Sequence, residues 1–300
     1  MRHLHPSGVL RRSLIPLLSL VLLTACSAAP PSQFAEFSRL GTALTDSTPP
    51  LLDAAFTEAV KADSLVLTTA REDTPDPEVR LTVLEQHNES LKQRLAIYGD
   101  LTRHSRLLRS YFVTLGLLAD TSGDSALGDS AKGIVDQLGA IHPKLAASSL
   151  GEVDVANFVK AAAPVAVGAF RSVALKRELE ARADTIASEL DLQQAVLSAI
   201  AEQMRADIAL QLQRDRQQRV EFPFVDPGPL PGNWADLRLA SLQTPITLQA
   251  VDAAARAADN LRTSFIALTE GGGAGGSLAQ LLNDVSTVVS LVEALKRPAP

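Results

Sequence analysis

Residues 78–119 hold the feature that most constrains this chain. No proline interrupts them, and large or apolar side chains return at every seventh position. Leu84, Leu91, Tyr98, Phe112 and Ala119 mark the seam, Ser105 is its polar gap, and Leu101, Leu108 and Leu115 interleave. A seven-residue repeat puts these side chains on one stripe of a helix, and such a stripe is buried only against other helices. His87 and Arg94 fall on the same seam near its start.

The rest of the chain repeats the pattern. Phe34, Phe37, Leu40 and Leu44 predict a short helix, followed by a polar turn over 45–48. Thr48-Pro49-Pro50 reads as a new helix start, with Thr48 capping and Pro49 in the first position. Leu52, Phe56, Val60 and Leu67 line that helix, and Asp63 is the polar exception on its face. The run 73–77 breaks it, and a short helix is expected over 131–138. The longest helical pattern runs over 165–219, with a stripe from Leu179 through Leu190 to Ile208. Its opposite face carries Arg177, Glu178, Arg182, Glu189 and Arg205. A helix of about 50 residues would be ~75 Å long. Thr244-Pro245 opens a further helix, the glycines of 271–276 form a hinge, and Ser277 caps the last helix. No repeat and no strand is expected. The fold class is all-α: an elongated antiparallel helical bundle, with two long coiled-coil-like helices, in a single domain over 34–297. Aromatic residues make up 4% of the sequence, which favours aliphatic helix seams over a β-sandwich.

The N-terminus has a separate logic. Arg2, Arg11 and Arg12 precede a greasy run, 13–23, and small residues lead to Cys26, the one cysteine. Charged, apolar and small segments in that order make a secretory signal. The apolar run is shorter than the ~20 residues of a spanning helix. Leu23-Thr24-Ala25-Cys26 resembles the lipobox of bacterial lipoproteins. The resemblance implies cleavage after residue 25, lipidation (palmitate included) of Cys26 and firm membrane anchoring. With Ser27 next, it implies the outer membrane of a Gram-negative cell, facing the periplasm. Residues 26–33 are then a tether reaching at most ~25 Å. Without the signal's three arginines, 25 bases face 34 acids, a charge of −9. Nucleic acid is not an expected partner at that charge, and no thiol remains for chemistry.

Several motifs invite chemistry. Gly123-Asp124-Ser125-Ala126-Leu127 resembles the serine block of the Gly-Asp-Ser-Leu hydrolases, which implies a strand before it and an oriented histidine. The helical pattern supplies no such strand, so a capping loop is the reading here. Asp120, Ser122, Asp124 and Asp129 fit a calcium loop poorly, with Ser125 at the sixth position and Ala131 at the twelfth. His87 has no second histidine three or four residues away, so a hydrogen-bonded seam histidine is expected. No catalytic residue, cofactor or metal is expected.

Two segments are candidates for contact. Residues 153–175 are apolar and carry Phe158, Val159, Val165, Val167 and Phe170. They read as a buried helix hairpin divided at Pro164 or, in layout, resemble the membrane-seeking tongue of helical pore-forming toxins. Phe222, Phe224 and Trp234 flank a proline-rich loop that either presents itself to a partner or packs down across the bundle end. The expected function is a non-enzymatic, lipid-anchored envelope module with a protein partner, self-association through helical seams being a further possibility. A membrane-active protein and an enzyme or ligand binder with an unrecognised site are the alternatives.

Overall fold

The computed structural model describes residues 31–120, 125–161, 163–271 and 274–297. Cys26, the signal segment and most of the tether lie outside the described residues. Three long helices organise the bundle: α1 (Pro31–Asp73), α2 (Pro77–Asp120) and α4 (Val173–Asp215), of 43, 44 and 43 residues. Shorter helices complete it: α3 (Ser125–Ala146), α5 (Phe222–Val225), α6 (Trp234–Leu242), α7 (Ile246–Thr269) and α8 (Gly275–Leu295). The all-α expectation holds, with three long helices in place of two. Each is ~65 Å long, whereas a compact sphere of this chain length would be about 48 Å across. The bundle is elongated for that reason.

The direction of each helix follows from its partners. Asp76 accepts from the Glu78 amide at 2.9 Å and Pro77 takes the first helical position, so α2 turns straight back along α1. Phe37 packs on Phe112 near the end of α2 and on Phe265 near the end of α7. Arg94 of α2 pairs with Asp207 of α4, and the Gln211 side chain donates to the Glu58 carbonyl. The start of α1, the end of α2, the start of α4 and the end of α7 therefore share one end, the base. The α1–α2 turn and the end of α4 share the far end.

The core is aliphatic with phenylalanines at the base: Phe34, Phe37, Phe112 and Phe265 are fully buried. The seam of α2 is buried from Tyr98 onward, through Ser105, Phe112 and Ala119. Its first heptads are not, since Leu81 and Leu84 are exposed where the α1–α2 hairpin outruns the bundle.

Four sequence expectations need correction. Residues 34–71 form one helix, not two, with Pro49 and Pro50 inside α1. Thr48 does not cap. It is buried, and its hydroxyl turns back to the Leu44 carbonyl, as Ser47 does to Ala43 and Thr45 to Gly41. Residues on both sides of the prolines, from Phe34 to Ala55, enter the same core, and that burial keeps the helix going through them. Second, the glycine hinge is shorter than 271–276, because Gly275 and Gly276 form the first turn of α8 and the cap position is Ala274, not Ser277. Third, between the proline-rich loop and the helix opening at Thr244-Pro245, 234–242 forms a helix that was not expected.

The fourth correction concerns 153–175, which is not a helix hairpin. It begins as a two-residue hairpin, β1 (Ser149–Leu150) paired with β2 (Val153–Asp154), then a 3-10 turn, Val155–Phe158. From there an extended strap runs to α4, antiparallel to it. The Lys160 amide donates to Asp191 at 2.8 Å, the Val165 amide to Asp184 at 2.6 Å, and the Gly168 amide to the Thr269 carbonyl at 2.8 Å. Pro164 fits because an extended strap needs no helical N–H there. Phe158, Val165, Val167 and Phe170 pack half-buried on the core, and Phe170 meets Phe34 edge-on.

Candidate functional site

The polar exceptions of the sequence find each other. Asp63 breaks the apolar face of α1 and His87 breaks the seam of α2; His87 Nδ1 lies 2.6 Å from Asp63 Oδ1. A carboxylate on Nδ1 fixes the orientation of the ring. Two turns further along α2, Arg94 donates to Asp207 at 2.7 Å, with side chains 13% and 14% exposed. Gln203 donates to the other oxygen of Asp207 at 2.9 Å. These groups line a groove of about 560 Å³ between α1, α2 and α4. The β1–β2 turn closes one side, with Gly151 at φ 64° and Glu152 at the lip. A Cβ on Gly151 would come within 2.7 Å of Gln203 Oε1, so glycine lets the turn lie on α4.

A second polar cluster is sealed inside. Glu189 of α4 accepts from His104 Nε2 at 2.9 Å and from His142 Nδ1 at 3.0 Å, binding α2, α3 and α4 together. His104 is fully buried and Glu189 nearly so, while His142 is half-buried. Burial alone would raise the Glu189 carboxyl, but the two histidines outweigh it and hold the group down at about 2. The hydrogen bond to Glu189 raises His142 against a smaller opposing effect of burial. Further down α4, Glu178 is raised by burial, against the pull of Arg182. Burial also raises Tyr111 beside it.

The sequence put Glu178 and Glu189 on the charged face opposite the apolar stripe of α4, and both are buried. From Ile186 to Ala201 this helix is enclosed almost all round, by α2, α3, α7 and the strap. The one available signal was the absence of charge over 192–201. Asp207 and Gln203 carried no pattern of their own.

The two predicted contact segments stay apart. The strap ends at the base, while Phe222, Phe224 and Trp234 stand at the far end. There the helix of α4 loosens into a π turn, Arg216–Glu221, followed by α5 and α6. Trp234 Nε1 donates to the Val220 carbonyl at 3.0 Å, its ring stacks on Phe224, and Arg238 lies 5.7 Å above it. Phe222 and Phe224 are 63% and 67% exposed, so this appendage does not pack down across the bundle. Gly123 and Asp124 of the hydrolase-like block lie outside the described residues, and Ser125 opens α3. Among the described residues no three His, Cys, Asp or Glu side chains are grouped to hold a metal ion. Comparing the chain with family models, with curated proteins and with solved structures yields no match.

Proposed function

We propose that this protein is a lipid-anchored, non-enzymatic module of the Gram-negative envelope, tethered through Cys26 to the outer membrane. It holds a protein-binding end out in the periplasm. The observation that carries this reading is polarity. The chain enters α1 at the base, and Gln211, just before the appendage, reaches Glu58, 27 residues further along α1. That separation is ~40 Å. At the far end Phe222, Phe224, Val225 and Leu242 expose large apolar surface beside Trp234. Clustered exposed apolar side chains of this kind are what protein contacts use.

Changing Cys26 to Ala tests the anchor, and the protein should then leave the membrane fraction for the soluble one. A photo-crosslinking residue at position 222 tests the contact. It should capture one discrete partner, and Trp234→Ala should abolish that capture. An unchanged fraction defeats the anchor; capture that ignores Trp234 defeats the contact.

A further inference from the structure

We propose that the groove between α1, α2, α4 and the β1–β2 turn binds an organic cation, a primary amine or guanidinium on an aliphatic stem. About 560 Å³ is within the range of small-ligand sites, roughly 300–1,000 Å³. The chemistry of its lining selects the ligand. Ala59, Val66, Leu91, Ala206 and Leu210 give it apolar wall, which suits a methylene stem. Among the described residues four carboxylates reach it, Asp63, Glu152, Glu202 and Asp207, against one permanent cation, Arg94, and a histidine.

Pairing does not cancel this excess. Arg94 is spent on Asp207. Glu202 is met by Arg205 at the surface, 2.7 Å away. Among the described residues Asp63 is held by His87 alone, whose ring carries charge only when protonated. Glu152 has no ion pair or hydrogen bond among the described residues. An anion would face uncompensated carboxylates, and an uncharged ligand would leave them as they are. Among the described residues no Phe, Tyr or Trp ring lines the groove, so they offer no aromatic cage of the kind that receives quaternary ammonium. A cation that donates hydrogen bonds is the remaining fit. Asp207, gripped by Arg94 and Gln203, and Asp63, gripped by His87, are fixed before it arrives.

The full chain in detergent should bind cadaverine or agmatine in a calorimetric titration. Pentanol and glutarate, of the same stem length, should not bind. Because Glu152 is an exposed turn residue, Glu152→Gln should fold normally and weaken binding about tenfold, and added Asp63→Asn should weaken it further. A blocked tripeptide with a central lysine tells the two sources apart. Tighter binding than cadaverine identifies a protein side chain, and weaker binding a free amine. Glutarate binding as well as cadaverine, no cation binding, or a Glu152→Gln variant of unchanged affinity would each overturn the assignment. None of these readouts involves Cys26 or the appendage, so the groove and the anchor fail independently.

Discussion

A methyl group at position 41 would sit 2.7 Å from Phe112 Cδ2, closer than a carbon can approach. Gly41 is what lets the α2 ring lie against the α1 backbone. Helix propensity alone would favour alanine there by about 1 kcal/mol. Overpacking a well-filled core costs about 1–3 kcal/mol. The second effect wins because Phe112 is fully buried and pressed by Phe37 and Tyr111. Gly41→Ala should therefore destabilise in urea titration, and a stabilised variant would show that the ring has room to shift. His104 raises the opposite problem, since removing it strips a buried carboxylate of its more buried donor. His104→Ala should cost about 3–5 kcal/mol, more than His142→Ala, whose place water can partly take. Equal losses in the two variants would mean that Glu189 is wetter than its surroundings indicate.

Among the elements, the appendage is the one that leans least on the rest. The π turn, α5 and α6 pack chiefly on one another and on the end of α4. The sole tryptophan of the chain lies there, so fluorescence reports this element alone. Its midpoint in denaturant should fall below the midpoint from far-ultraviolet circular dichroism. Coincident midpoints would mean that the appendage is part of the cooperative core. How far each element was legible follows from the forces that fix it. The seam of α2 could be read because local periodicity and tertiary burial agree from Tyr98 to Ala119. At Thr48-Pro49-Pro50 they disagree: the local signal says helix start, and a core shared by residues on both sides overrides it. The strap misled for another reason. Ala- and Val-rich sequence suits a buried helix, but what holds the strap extended at Lys160 and Val165 is carboxylates on α4, Asp191 and Asp184, distant in sequence. The groove was half legible: Asp63 and His87 stood out as anomalies, but nothing linear joins them.

For the molecule as a whole, the Glu189 cluster sets a preferred acidity. Its carboxyl is held at about 2 against an ordinary 4.5, so its stabilisation is complete above 4.5 and lost as pH falls through 2. His142 is raised above its ordinary 6.5, so its share is complete below 6.5 and lost as pH climbs through the raised value. Both act in full between 4.5 and 6.5. Glu178, raised by burial, works with His142: its ionisation above 4.5 is disfavoured in the fold. Thermal melts should peak on the acid side of neutrality, and His142→Gln should flatten the alkaline decline. A maximum above neutrality in the unaltered protein would contradict the cluster.

Phe37, near the chain's beginning, lies against Phe265, near its end, and this has a cost during synthesis. An emerging polypeptide can pair α1 with α2 early, yet that pair still shows bare phenylalanine until α7 arrives from the ribosome. A product truncated before α7 should therefore stick to chaperones or to its own copies, even with α1 and α2 already paired.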